Sequence, residues 1–326
     1  MGYFISDKQV LASAMERSLY RPFGVRVEGA DRVDEIIDPG HPLYLQLCNI
    51  FTLTNTTDAP IVYPVFPTGC ISIAFLQRQG EWRNYLLGAM TEIRALTLAP
   101  GDQYLILRFM PGSSMAFLDC DAAALTNRTE DVASVIRNGS RLQMIAQRDI
   151  PVSLKALLMS RVLRVESHER DSDYLIHFCA EEILKEKGVI SITELAEKAG
   201  FSERYIGQMF DRYIGLSPKV YSEIIRLQSS LRLVLTDSVD PEPQGFSNGW
   251  VTVFGGRPKK NAQANQKETG PAVKKTSLLE VAVESGYFDH AHMNRAYKRF
   301  LHCSSGALRK KGLAAIDMTT VAPLLD

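Results

Sequence analysis

Two segments of this chain, "SITELAEKAGF" (191–201) and "SLLEVAVESGY" (277–287), repeat one another. Ser191 matches Ser277, Glu194 matches Glu280, Ala196 matches Ala282 and Gly200 matches Gly286. Each opens with S-x-x-E, the capping box, in which serine and glutamate satisfy the first free amides of a helix. Each closes on a glycine followed by an aromatic residue, where a helix stops and the chain turns sharply. The likeness resumes, one residue out of step, in "MFDRYIGLS" (209–217) and "AYKRFLHCS" (296–304). Ser202 and Asp289 are of the types that cap a second helix in each copy. Two short helices joined through a glycine turn, occurring twice, predict a pair of helix-turn-helix units. The plainer alternative is two structural helical hairpins.

Between the copies, "SPKVYSEIIRLQSSLRLVLT" (217–236) starts with a serine cap and a proline at the first helical position. Apolar residues at Tyr221, Ile224, Ile225, Leu231 and Leu235 keep a helical stripe. Such a helix spans about 30 Å. One duplex turn measures about 34–36 Å, the spacing of successive major grooves.

The segments "LAEKAGFSERYIGQMF", "GLSPKVY", "IIRLQ" and "VAVESGYFDHAHMNRAYKRF" resemble the AraC/XylS family of transcription regulators. The resemblance covers about residues 172–312, apart from an insertion. It implies two helix-turn-helix units joined by a long helix and sequence-specific binding to double-stranded promoter DNA, as activator or repressor, with RNA polymerase as a further partner. Ser305 and Leu308 stand where the family usually shows proline and tyrosine.

The pair His290 and His292, with His302 and Cys303 downstream, invites a metal reading. Residues two apart on a helix point about 200° from each other, so the two cannot share an ion there. Met293, Ala296, Tyr297 and Phe300 form the inward stripe, and His292 packs near the helix start. By resemblance His290, Ala291, Asn294 and Arg295 match groove-facing positions. Asparagine suits adenine and arginine suits guanine; an ion pair within the fold is the other use for Arg295. In the first unit Phe201, Ile206, Met209, Phe210 and Tyr213 are the expected core. Arg204 and Gln208 are the base-reading candidates, with Gly207 also facing the groove. Arg212, Lys219 and Lys298 suit phosphate contacts.

Residues 22–118 read as strands and turns. "YLQLCNIFTLTN", "CISIAFLQ", "WRNYLLG" and "YLILRFM" are rich in β-branched and aromatic residues between Pro, Gly, Asn and Asp clusters. Residues 113–165 turn helical. "FPTGCISIAF" followed by "LAPGDQYLILRFMPGSSMAFL" resembles the regulatory domain of one AraC-type subset, which implies a cupin-like β-barrel that senses an effector or dimerises. A metal cupin needs several His and Glu ligands, and His41 is the sole histidine of residues 1–165. No Gly-rich phosphate loop or nucleophile elbow occurs, so no enzyme, cofactor or metal site is expected. Cys70 is read as a buried strand cysteine rather than a reactive thiol.

The fold class expected is therefore α+β. A β-rich regulatory domain (1–165) and a linker (166–171) precede an all-α DNA-binding domain (172–236 and 276–312). That domain is split by a flexible insertion (237–275) and followed by a tail (313–326). The insertion is rich in Pro, Gly, Asn, Gln and Lys, and its "GGRPKK" resembles an AT-hook carried by Arg257. Net charge is zero, so no global field draws the chain to DNA. Residues 277–312, however, hold six Lys and Arg against three acids. Glu181, Glu182 and Glu186 suit a face turned away from DNA. Five scattered cysteines argue for a reducing compartment. No apolar run approaches a membrane helix, so a cytoplasmic protein is expected, the loose myristoylation pattern "MGYFIS" notwithstanding. Control falls to a small-molecule effector or to a regulatory protein bound at the N-terminal half, with a homodimer as one arrangement.

Overall fold

A computed structural model describes residues 20, 22–35, 37, 40–166, 171–236, 251–252 and 276–325. "MGYFIS", Arg257 and most of the insertion lie outside these residues.

The first half is built from strands, antiparallel to their neighbours from β2 to β9: β1 Val25–Arg26, β2 Ala30–Glu35, β3 Leu47–Asn55, β4 Ile61–Val65, β5 Ser72–Arg78, β6 Glu81–Leu87, β7 Arg94–Leu98, β8 Gln103–Phe109 and β9 Thr129–Asp131. Six of them form one sheet in the order β2-β3-β8-β5-β6-β9, while β4 and β7 pair separately. The apolar faces of β4 and β7 turn toward β3, β5 and β8, and the two sheets enclose a cavity in a barrel-like arrangement. The β5 sequence "SIAFL" is buried on both faces because it lies inside the larger sheet, and such strands read as unbroken apolar runs. At the turn before β8, the carboxylate of Asp102 is wholly buried. It accepts two hydrogen bonds from Arg78 (2.8 and 2.5 Å) and one from the Ala99 amide (2.8 Å). A buried charge held this way is tolerable only with its partner in place; removing the partner typically costs about 3–5 kcal/mol.

Three helices follow: α1 Val132–Val135, α2 Gly139–Ala146 and α3 Val152–Glu166. The second half is helical, with α4 Asp171–Lys185, α5 Ile192–Ala199, α6 Glu203–Tyr213, α7 Pro218–Thr236, α8 Leu278–Glu284, α9 His290–Leu301 and α10 Ser305–Lys311. Within the insertion, β10 (Val251–Thr252) runs parallel to β1, with Val251 opposite Val25.

The repeat is realised as helices. Ser277 and Glu280 form a complete capping box (3.1 and 2.6 Å), while at Ser191 the serine half is present, accepting from the Glu194 amide at 3.1 Å. Ser202 and Asp289 cap α6 and α9. Gly200 and Gly286 both sit at left-handed φ (73° and 76°), a conformation that a side chain at the turn would strain. Helix α7 buries Tyr221, Ile224, Ile225, Leu231 and Leu235 as its stripe predicts. Leu195, Ile206, Phe210 and Tyr213 are buried in the first unit, and Val281, Met293, Tyr297 and Phe300 in the second. Truncating one of these rings, as in Phe210→Ala, would cost about 3–5 kcal/mol. Phe201 departs from its expected core place. It is 48% exposed and stacks on the exposed Tyr205 at 5.1 Å, because the left-handed turn at Gly200 directs it outward.

Candidate nucleic-acid interface

Caps and core stripes fix which face of each second helix is left outward. On α6, Glu203, Arg204, Gln208, Asp211 and Arg212 are exposed and Gly207 is half-exposed. On α9, Ala291, Arg295, Lys298 and Arg299 are exposed, and His290, His292 and Asn294 are half-buried. The outward faces differ in charge. That of α6 balances two acids against two arginines, whereas that of α9 carries the bases Arg295, Lys298 and Arg299 and no acid, Arg299 pairing with Glu223 of α7.

The predicted residues divide into free and engaged groups. Among the described residues, Arg204, Gln208, Arg295 and Lys298 make no ion pair or side-chain hydrogen bond, so Arg295 is not held by an ion pair within the fold. Asn294, by contrast, is engaged. Its Oδ1 accepts from the Ser305 amide (3.0 Å) and hydroxyl (2.7 Å). Its Nδ2 lies 3.1 Å from His290 Nε2, which is itself 3.1 Å from the Ser305 hydroxyl. This closed polar knot ties the start of α9 to the start of α10. His292 points elsewhere: its Nδ1 accepts from the Phe288 amide at 3.3 Å, and its ring meets Tyr287 edge-on. The two histidines thus have separate partners. Cys303 is buried, and burial pushes its thiol up to about 11, so it stays protonated at neutral pH. Burial likewise raises Tyr287 and Tyr297; the Tyr297 hydroxyl remains a donor and bonds Ser230 of α7 at 3.0 Å.

Both units also touch the β-rich half. Arg212, a predicted phosphate contact, pairs instead with Asp121 at 3.2 Å. Below it the 3-10 turn Ala122–Leu125 packs on α6, and Thr126 Oγ1 donates to the Gly215 carbonyl. At the second unit the Ile93 amide donates to the Phe300 carbonyl (2.8 Å), and His302 lies 3.2 Å from Glu92. On α7, Gln228 bridges the halves, accepting from the Phe23 amide and donating to the Pro67 carbonyl, both at 2.5 Å. On the far side Glu182 is paired with Lys185 and Lys198 (3.4 and 3.2 Å), which neutralises part of the acidic face of α4.

Beyond α10, the Ala95 amide of β7 donates to the Ala322 carbonyl (3.0 Å). The Leu324 amide returns a bond to Ala95 (2.8 Å), and Pro323 bridges parallel to Ala95. Leu324 and Leu325 thereby reach the cavity of the first half, whose walls include Phe51, Tyr63, Leu96 and Tyr104, with Arg32 and Arg108 as its cations. Both guanidiniums lie over Phe51, at 3.4 and 5.4 Å from the ring centre. Sequence patterning does not reveal these contacts, because their partners lie roughly a hundred or more residues apart in most cases.

Among the described residues no group of three or more His, Cys, Asp or Glu is placed to hold a metal, and no helix is long and apolar enough to cross a membrane. No curated protein matches the chain. Among solved structures it is similar to ToxT from Vibrio cholerae O395, at 11% identity and a TM-score of 0.34, covering 78% of this chain and 97% of that one. An apo single-residue variant of ToxT from V. cholerae strain SCE256 gives 10% identity, a TM-score of 0.37 and coverage of 80% and 97%. Residues 36–131, the heart of the β-rich half, match a family described as a domain of unknown function (DUF6597).

Proposed function

We propose that the chain is a sequence-specific DNA-binding transcription regulator whose N-terminal half controls its helical half. The observation that carries this reading is the repeated, capped helix-turn-helix unit, mounted twice on α7 with a polar outer face on each second helix. A helix of 19 residues spans about 28 Å, close to the separation of successive major grooves. Arg295 is free to address a guanine, with Arg204 and Gln208 as the readers of the first unit and Lys298 and Lys219 on phosphate. Ala291 and Gly207 lie on the same outer faces and allow close approach. His290 and Asn294 set the geometry of the second unit through Ser305.

Control by a ligand is supported by the cavity, which joins apolar walls to two guanidiniums and is closed in part by residues that follow α10. A ligand that binds one docking state of the two halves better than another shifts the population between them. RNA polymerase and a second copy of the chain are the macromolecular partners this reading implies. The test is selection of bound sequences from random duplexes, followed by binding at fixed salt to matched and mismatched sites. Enrichment of one motif supports the reading; affinity independent of sequence rejects it.

A further inference from the structure

Strands β3 and β5 are both neighbours of β8, and at one end of the sheet their termini converge. The Phe109 amide bonds the Ile71 carbonyl (3.0 Å) and the Met110 amide bonds the Gln46 carbonyl (2.7 Å). Three sulfur atoms meet there. Cys48 Sγ lies 3.7 Å from Cys70 Sγ and 3.3 Å from Met110 Sδ. Both cysteines are 5% exposed, yet Cys70 and Arg108 line the cavity, which gives the cluster a route to small solutes.

The electrostatics differ from those of the other thiols. Burial pushes Cys179 up to about 12 and Cys303 to about 11, and also raises Cys120. Burial acts upward on Cys70 too. The hydrogen bond with Cys48, the charge of Arg108 and the hydrogen bond with Thr68 outweigh it, and the net direction is down. Among the described residues Arg108 Nε is buried without a hydrogen-bond partner, and its charge acts on Cys70, beside which it lines the cavity.

We propose that Cys48, Cys70 and Met110 form a binding site for one soft monovalent metal ion, Cu(I) or its redox-inert stand-in Ag(I). Thiolate and thioether donors select such ions over zinc, which takes four ligands of sulfur, nitrogen or oxygen. An ion about 2.3 Å from each of three sulfurs, a usual metal–thiolate length, sets them about 4 Å apart, so the Cys48–Cys70 and Cys48–Met110 separations of 3.7 and 3.3 Å need to open by about 0.3 and 0.7 Å. Two S–H bonds break and two metal–sulfur bonds form, while the thioether donates a lone pair. Two protons leave to solvent, and no oxidation state changes. The resulting single negative charge faces Arg108.

The test uses the full chain under anaerobic, reducing conditions, loaded with Ag(I), desalted against a weak monothiol and analysed for silver. One ion per chain is expected, with loss in Cys48→Ser/Cys70→Ser and weakened retention in Met110→Leu, which keeps both thiols. X-ray absorption of the Cu(I)-loaded wild type, which needs no variant to fold, should show only sulfur neighbours near 2.3 Å. No retained silver, equal retention in the double variant, nitrogen or oxygen neighbours, or a response limited to a peroxide-driven Cys48–Cys70 disulfide would each overturn the site.

Discussion

The two helix-turn-helix units share caps, turn glycines and core stripes, but they are held to the rest of the molecule differently. The first is latched through its second helix, α6. Asp121 engages Arg212, and the turn at Ala122–Leu125 lies against Gly215. Among the described residues the second bonds to the β-rich half at the end of α9, through Phe300 and His302, and spends polar residues of its outer face on an internal knot. Its basic outer face stays open. The same local sequence logic therefore yields one unit whose presentation depends on docking and one whose presentation is set from within.

The largest effect should come from breaking the latch by bulk. Gly215 has φ +81°, and an added Cβ would lie 2.6 Å from the Ala122 carbonyl oxygen. Gly215→Ala should cost about 2–4 kcal/mol, combining left-handed strain and overpacking. Gly200→Ala, with similar φ strain and no described residue within 4 Å of the added Cβ, should cost only about 1–2 kcal/mol. Chemical denaturation of both variants checks this. Equal losses would mean that Gly215 is not wedged against the β-rich half.

Next come the two neighbours on α9. Arg295→Ala should lose about 1–3 kcal/mol on a selected site and relax preference at one base pair, leaving the unfolding midpoint unchanged. Asn294→Ala should instead cost about 1–3 kcal/mol of stability, because the buried Ser305 amide and hydroxyl lose their acceptor. Any loss of binding should then be uniform across sequences. If Asn294→Ala relaxes one base pair with stability intact, the asparagine reads DNA and the knot opens on binding.

A smaller change is expected on freeing Arg212. The pair with Asp121 is exposed on both sides (51% and 61%), so Asp121→Ala should alter stability by no more than about 1 kcal/mol. It should tighten DNA binding and steepen its salt dependence. Weaker binding would show that Asp121 holds α6 in a productive pose.

The smallest effect separates the units most finely. Among the described residues nothing lies within 4 Å of a Cβ built on Gly207, and glycine inside a helix costs about 0.5–1 kcal/mol relative to alanine. Gly207→Ala should raise stability by that amount. A parallel fall in DNA affinity would identify this glycine as the point of closest approach; unchanged affinity would move the contact to Arg204 and Gln208.

What was legible in the sequence was local. Ser191 and Ser277 accept from amides three residues ahead, Gly200 and Gly286 donate to carbonyls three residues behind, and the stripe of α7 is set by helical period alone. The strand carrying Pro64 gives no such signal, since proline weakens any strand reading; it is accommodated because β4 belongs to a two-stranded sheet. The engagement of Asn294 was hidden, because Ser305 lies on the next helix and a residue's outward position says nothing of a neighbour across a turn. The exposure of Phe201 has a related cause: the left-handed turn at Gly200 rotates it out of the helical period that its neighbours keep. Arg212 with Asp121, and Cys48 with Cys70 and Met110, depend on tertiary convergence that no spacing rule encodes.

The strand-like pairing of Ala322–Leu324 with Ala95 has a consequence for the order in which the protein can be made. Thr129 Oγ1, in β9, donates to the Leu324 carbonyl across 195 residues of sequence. At roughly 5–20 residues per second, the ribosome needs about 10–40 s to go from one to the other. For that interval the β-rich half exists with one edge of β7 unpaired and its cavity without Leu324 and Leu325, long enough for a small solute to enter before these two join the wall.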